Sequence, residues 1–220
     1  MRRNPVVAID GPSGVGKSTV AKGVAAQLQF QFVDTGALYR AVALAAYKNG
    51  INWEDGNAVA REAETHSFCF DSSGNLAMDD VFVGDSIRTP HMSEGASTVA
   101  KHPEVRAALL DIQRQLGKDG GVVLEGRDIG TVVFPDAEKK FFLTASIRER
   151  ARRRHLQLLE KGENVTIEEI EKAQVVRDER DSNRAVSPLK KADDALEVDC
   201  ETKSADEVIQ LITYSVVSSH

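Results

Sequence analysis

Short β-branched runs alternate along this chain with longer stretches of helical period. Val6-Val7-Ala8-Ile9, bounded by Pro5 and Gly11, shows no polar alternation. That pattern fits a strand buried on both faces of a parallel sheet. Residues 17–29 are helix-forming, residues 30–33 read as a second strand ending at Asp34, and residues 38–49 as a helix stopped by Gly50. Residues 54–66 predict a further helix. The period then changes. Residues 67–71, 75–78 and 81–83 are short alternating pieces, with turn chemistry at Ser72-Ser73-Gly74-Asn75 and Gly84-Asp85. They predict a small antiparallel insertion. Pro90 and Pro103 bracket one helix, and residues 104–118 form the next. Residues 122–124 and 140–143 are buried-type strands, and residues 195–198 a last one. Helical stretches cover residues 146–161, 167–183 and 204–217. Strands alternating with helices predict an α/β fold built on a doubly wound parallel sheet.

Composition narrows the function classes. A chain of 220 residues suits one domain with insertions. Its net charge of −6 argues against a surface built for long nucleic acids, which calls for a basic excess. It leaves room for a small anionic ligand in a cleft with a local arginine cluster. Cys69 and Cys200 lie far apart and lack metal-ligand spacing, so two thiols in a reducing compartment are expected. The chain runs from Met1 almost directly into its first strand, and no apolar run approaches a membrane span. A cytoplasmic protein without membrane partners is expected. No apolar helix face is left over, which reads as a monomer.

The strongest chemical signal is Gly11-Pro12-Ser13-Gly14-Val15-Gly16-Lys17-Ser18, which fits G-x-x-x-x-G-K-[ST] at every fixed position. A polyphosphate must be wrapped by backbone N–H groups, and glycines let the chain turn that tightly. The helix that follows points its positive end at the anion. Lys17 is expected to reach the β- and γ-phosphates of ATP, and the Ser18 hydroxyl to ligate Mg²⁺. A glycine-rich turn with a solvated lysine is the alternative.

Three further segments hold candidate residues. Asp34-Thr35-Gly36-Ala37-Leu38-Tyr39-Arg40 follows the second strand, with Thr35 a possible helix cap and Arg40 on the first turns. Ligands of open α/β sheets bind at that carboxyl edge, although a solvated arginine would look the same. Glu125-Gly126-Arg127-Asp128-Ile129-Gly130-Thr131 has the same placement. Arg127 and Asp128 offer a cationic fork and an acceptor, or simply a salt bridge. In the mixed-charge run 177–184, helical spacing puts Arg177, Asp181 and Arg184 on one face, able to grip a phosphate and a ribose hydroxyl. A salt-bridged exposed helix is the alternative. The arginine-dense helix carries Arg148, Arg150, Arg152, Arg153 and Arg154. The acidic total and the lack of interleaved aromatics favour a lid over ATP phosphates rather than a nucleic-acid patch.

Together, AIDGPSGVGKST, VDTGALYRAVA, LEGRDIGTVVFPDA and RDSNRAVSPL resemble the bacterial cytidylate kinases, within the P-loop nucleoside monophosphate kinases. The likeness runs from about Val6 to the last helix. It implies transfer of the γ-phosphate of ATP to CMP or dCMP, with Mg²⁺ as cofactor, and a core of about residues 1–66, 103–145 and 185–220. The segment 67–102 would be the monophosphate-binding insertion, and 146–184 the arginine-rich lid with its following helix. The resemblance implies an ATP site from Gly11 through Thr19, joined by Arg153 and Arg154 of the lid. Arg40, Arg127 and Arg184 match positions that hold the acceptor phosphate, Ser97, Arg106 and Asp128 those that meet the cytosine edge, and Arg177 and Asp181 those around sugar and phosphate. Thr35 stands where some relatives have serine and joins the acceptor set. Lys17, Arg127, Arg184 and Arg153 are the implied catalytic residues.

The chemistry agrees with that set. A monophosphate acceptor has a second pKa of about 6 and is mostly dianionic at neutral pH, so it needs no general base. It needs relief from repulsion between polyanions, and in-line positioning. None of His66, His91, His102, His155 and His220 falls in a recognisable acid–base constellation. Cytosine offers an N4 amino donor that a carboxylate accepts, whereas uracil offers a carbonyl there. An unpaired buried polar group costs roughly 1–3 kcal/mol, so Asp128, which only the resemblance places at that edge, would discriminate by about tenfold to a hundredfold. A kinase of another acceptor such as UMP, AMP or shikimate shares the phosphate loop. A nucleotide-driven switch or motor would hydrolyse ATP under a partner's control, and a non-catalytic module would tolerate loss of Lys17. Sequestration of the substrates from water predicts that segments 67–88 and 148–162 close over them.

Overall fold

The computed structural model describes residues 4–160 and 162–218. Residues 1–3, 161 and 219–220, which include the expected chain start at Met1, the end of the arginine helix and His220, lie outside the described residues.

Regular structure begins with β1 (Val6–Asp10), followed by α1 (Lys17–Leu28), β2 (Gln31–Asp34), α2 (Thr35–Lys48) and α3 (Gly56–Glu64). The insertion supplies β3 (Phe68–Phe70), β4 (Leu76–Met78) and β5 (Val81–Phe82), and then come α4 (Pro90–Val99) and α5 (Pro103–Gly117). The chain returns through β6 (Val122–Gly126) and β7 (Lys139–Thr144), runs out through α6 (Ile147–Glu160) and α7 (Ile167–Asn183), and closes with β8 (Leu196–Asp199) and α8 (Ala205–Val217).

The five long-range strands form one parallel sheet in the order β2-β6-β1-β7-β8. The period of two sorts the buried residues of β1 between its faces. Val6 and Ala8 join the core under α2, α4 and α5, while Val7 and Ile9 join the core under α1 and α8. The insertion is a separate antiparallel sheet, β3-β4-β5, whose outer strand leaves Val81 and Phe82 exposed. Helices α6 and α7 pack on each other through Ala151, Leu158 and Ile170. The carboxyl ends of β1, β2 and β6 lie side by side, and the functional side chains gather there.

Two helix starts differ from the sequence expectation. Helix α2 begins at residue 35 because Asp34 is its cap: the Asp34 carboxylate accepts from Ala37 N at 3.0 Å. Thr35 is therefore the first helical residue and not the cap. Asp55 caps α3 in the same way, so that helix starts at Gly56 and not at residue 54. Sequence periodicity also missed the wide turn Ile129–Val133 after β6, where the Asp128 carbonyl accepts from Val132 N and Val133 N.

Candidate active site

The chain leaves β1 at Gly11 and re-enters helix at Lys17. Gly16 caps α1 with φ 101°, a left-handed conformation, and neither a capping side chain nor a first-turn acid occupies the helix start. The N–H groups and positive end of α1 are left for an anion. Lys17 is buried and donates to Pro12 O at 2.7 Å. Burial, and then the charge of Arg127, push its ammonium down to about 7, against the pull of Glu125. Ser18 and Thr19 sit exposed on the first turn of α1.

The second domain-scale element of the site comes from α6 and α7, which lie directly on this loop. Arg150 donates to Ser13 O at 2.9 Å, and Arg153 to Val15 O at 3.4 Å and to Cys200 O. Glu149 holds Arg153 at 2.7 Å and also pairs with Arg152. Arg154 instead reaches Gln157 on its own helix at 3.5 Å, away from the loop. A Cβ on Gly14, where φ is 77°, would stand 2.7 Å from the Gln174 amide nitrogen.

Acidic groups lie beneath the loop. Asp10 accepts from Ile129 N at 2.9 Å and Gly130 N at 2.8 Å, and burial pushes its carboxyl up to about 6. Glu125 on β6 is pushed up to about 7, chiefly by burial and then by Asp34, with the Ser18 hydroxyl among the groups that offset this. Its Oε1 is buried without a partner. The Thr35 hydroxyl donates to Glu125 O at 2.7 Å, tying the start of α2 to the end of β6.

Beside these groups stands an arginine array. Arg40 pairs with Asp34 at 2.7 Å, and Arg127 with Asp181 at 2.9 Å. Burial pushes the Arg177 guanidinium down to about 10, with Arg127 and Arg40 adding repulsion. The Nε atoms of Arg40 and Arg177 are buried donors without a protein partner. Burial would raise the Asp181 carboxyl, but Arg127 and Arg177 outweigh it and hold it below the usual carboxylate range. Mutually repelling cations with spare donors are arranged to receive an anion.

Asp128 is gripped by two arginines, with Arg106 on Oδ2 and Arg184 3.6 Å from Oδ1. Arg106 also lies over the Tyr39 ring, 5.4 Å from its centre. Arg127 and Asp128, adjacent in sequence, thus each take other partners and do not pair together. Ser97, buried on α4, accepts from Arg180 at 3.3 Å. Arg184 departs from the predicted helix face. It follows the last turn of α7 with extended backbone, φ −64° and ψ 141°, and reaches Asp128 from beyond the helix end.

Asp10 and Gln174 belong to this assembly although sequence reasoning gave them no part in it; Asp34, Tyr39, Asp178 and Arg180 lay in its candidate segments without a role of their own, and Arg150, expected as a lid arginine over ATP phosphates, holds Ser13 O and Asp178 instead. One signal was available for the acids: Asp10, Asp34 and Glu125 fall at the carboxyl ends of three strands that turn out to be neighbours. Of the histidines, His66 does sit between two carboxylates, Glu62 at 3.1 Å and Asp79 at 2.6 Å, but at the base of the insertion. Among the described residues no group of three or more His, Cys, Asp or Glu could hold a metal ion.

The sequence matches the cytidylate kinase family over residues 7–218. A cytidylate kinase of Clostridioides difficile (strain 630) is 44% identical over 213 residues, which covers 97% of this chain and 98% of the relative. One of Exiguobacterium sp. is 46% identical over 215 residues, 96% of each chain. The crystal structure of an uncharacterized protein from Eubacterium ventriosum has a TM-score of 0.53 at 12% identity, covering 98% of this chain and 99% of that one, a likeness of fold.

Proposed function

Because this chain belongs to the cytidylate kinase family, it transfers the γ-phosphate of ATP to CMP or dCMP, and we propose the following division of labour among its residues. The loop Gly11–Thr19 cradles the polyphosphate of ATP on the open N-terminus of α1, and Lys17 is the cation at the transferred group. Arg153 reinforces the loop from α6, and Arg154 joins it as the lid settles. Arg40, Arg127, Arg177 and Arg184 hold the acceptor phosphate, with Asp181 orienting Arg127 and meeting the sugar. Thr35 fixes the approach of α2 to β6 beside them. Ser97, Arg106 and Asp128 read the base. The observation that carries this assignment is the pair of buried, unpartnered guanidinium donors on Arg40 and Arg177 beside Arg127.

The residues also fit Mg²⁺. Mg²⁺ takes one or two protein oxygens and completes its shell with phosphates and waters. Ser18 would hold it, close to Glu125, whose unpartnered oxygen and raised carboxyl suit a neighbouring cation. Bound there, the metal would supply positive charge against the phosphates of ATP. The chain's own part is electrostatic. Lys17 and the arginines offset the repulsion between two polyanions and hold donor and acceptor in line. The acceptor oxygen is already ionised, so no side chain has to remove a proton from it.

The same reading divides the chain into a core, an insertion over residues 67–102 and a lid with its helix over residues 146–184. It makes the enzyme a monomer of the cytoplasm acting on free nucleotides, without nucleic acid. No described helix is long and apolar enough to cross a membrane. Arg40→Met and Arg177→Met test the acceptor side. Each is expected to raise KM for CMP by at least about tenfold while leaving the affinity for an ATP analogue unchanged. Equal losses for both nucleotides would assign these arginines elsewhere.

A further inference from the structure

Three carbonyls of the phosphate loop are held by cations: Pro12 O by Lys17 at 2.7 Å, Ser13 O by Arg150 at 2.9 Å and Val15 O by Arg153 at 3.4 Å. In a tight loop, carbonyls drawn outward leave the peptide N–H groups facing the concave side, where an anion binds. Of the three cations, Arg150 is placed least like a phosphate ligand. Its side chain is only 6% exposed, and it forms an ion pair with Asp178 of α7 at 2.6 Å while donating to Ser13 O. Both contacts are made by Nη1, and Nε donates to Ala145 O at 3.2 Å. Two nitrogens of the guanidinium, Nη1 and Nε, are thus committed to the loop backbone, to α7 and to the residue that follows β7.

Helix α7 carries the connection onward. Gln174, Asp178 and Asp181 are spaced i, i+4 and i+7 and share one face. Gln174 abuts Gly14, Asp178 holds Arg150, and Asp181 holds Arg127 at 2.9 Å. One helix face therefore touches the donor loop, the arginine that pins that loop, and an arginine of the acceptor array.

We propose that Arg150 and Asp178 are positioning residues that couple the two substrates: they fix the phosphate loop in its anion-binding shape and transmit its occupancy along α7 to Arg127. Neither residue touches a reacting atom. The inference rests on the reading that ATP occupies the loop and the CMP phosphate lies at Arg127. Coupling of this kind is reciprocal, so ATP bound at the loop tightens CMP, and CMP tightens ATP by the same factor.

The test is calorimetric titration of CMP into the enzyme with and without Mg²⁺ and a non-hydrolysable ATP analogue. In the unaltered protein the analogue is expected to tighten CMP by about fivefold or more. In Asp178→Asn the ratio of CMP affinities with and without the analogue falls towards one. Loss of a merely structural contact would weaken both titrations alike and leave their ratio intact. Arg150→Lys keeps the charge but not the fork, and is expected to lose at least half of the tightening; it carries the test if Asp178→Asn is too unstable to purify. Full tightening in either variant, or none in the unaltered protein, overturns the proposal and leaves the site assignments standing. Failure of the unaltered protein to bind either nucleotide overturns both.

Discussion

Lys17, Asp10 and Glu125 show what burial does to single groups when a polar site is built under a hydrophobic sheet. Asp10 and Glu125 are raised to about 6 and about 7, so the folded chain keeps protons that the unfolded chain releases. Their contribution to stability is full below the ordinary carboxylate range and falls as pH rises towards 7. Lys17 is lowered to about 7. The unfolded chain there binds a proton that the folded chain lacks, so stability rises with pH between about 7 and the ordinary lysine range. Urea midpoints of the nucleotide-free enzyme between pH 5 and pH 9 should show both slopes. Glu125→Gln is expected to flatten the acid-side fall and Lys17→Met the alkaline-side rise; curves parallel to the unaltered enzyme would contradict the assignment. Lys17→Met should also lower kcat by about 10²–10³-fold, the range seen when one transition-state donor is removed.

At the scale of the element, α1 and α7 divide the work. Helix α1 offers an uncapped N-terminus, and α7 closes over it. Gly14→Ala tests the loop beneath them: a side chain there would have to adopt φ 77° and push the Gln174 amide, 2.7 Å away, aside. ATP affinity is expected to fall by at least about tenfold, from backbone strain of order 1–3 kcal/mol, with CMP affinity unchanged. Equal ATP affinity would mean that the left-handed backbone at Gly14 does not shape the anion-binding loop. The elements were largely legible in the sequence. β-branched runs, Gly16 and Gly50, and the period change after residue 66 each have a local cause that a sequence displays. Helix starts were less so, because whether Asp34 or Thr35 supplies the cap depends on where β2 releases the chain. The ion pairs were not legible at all. Arg127 finds Asp181 rather than the adjacent Asp128, and Arg150 finds Asp178, because those partners are brought together only by the packing of α6 and α7 on the sheet edge.

In the whole molecule, a rigid parallel sheet carries two outlying pieces. The insertion is a three-stranded sheet with an exposed outer strand, and α6 with α7 forms a small core of its own. Both are tied to the rest of the molecule, Phe70 and Leu76 by joining the core around α2, and α6 by Arg150 and Arg153 on the phosphate loop, so closure over substrates is a small rearrangement of these contacts. A bisubstrate analogue is expected to raise hydrogen-exchange protection in residues 67–88 and 148–160 while β1 and β6 stay unchanged. Equal protection with and without it would rule closure out.

The most direct measurement of the central claim is ADP release with ATP and Mg²⁺ against a panel of CMP, dCMP, UMP, AMP and GMP. Strong turnover with CMP and dCMP, and at least about tenfold less with each of the others, is the predicted result. Comparable turnover with UMP or AMP would contradict the base reading of Asp128, Arg106 and Ser97. Turnover with none of the panel would contradict the assignment of this site to phosphoryl transfer between nucleotides.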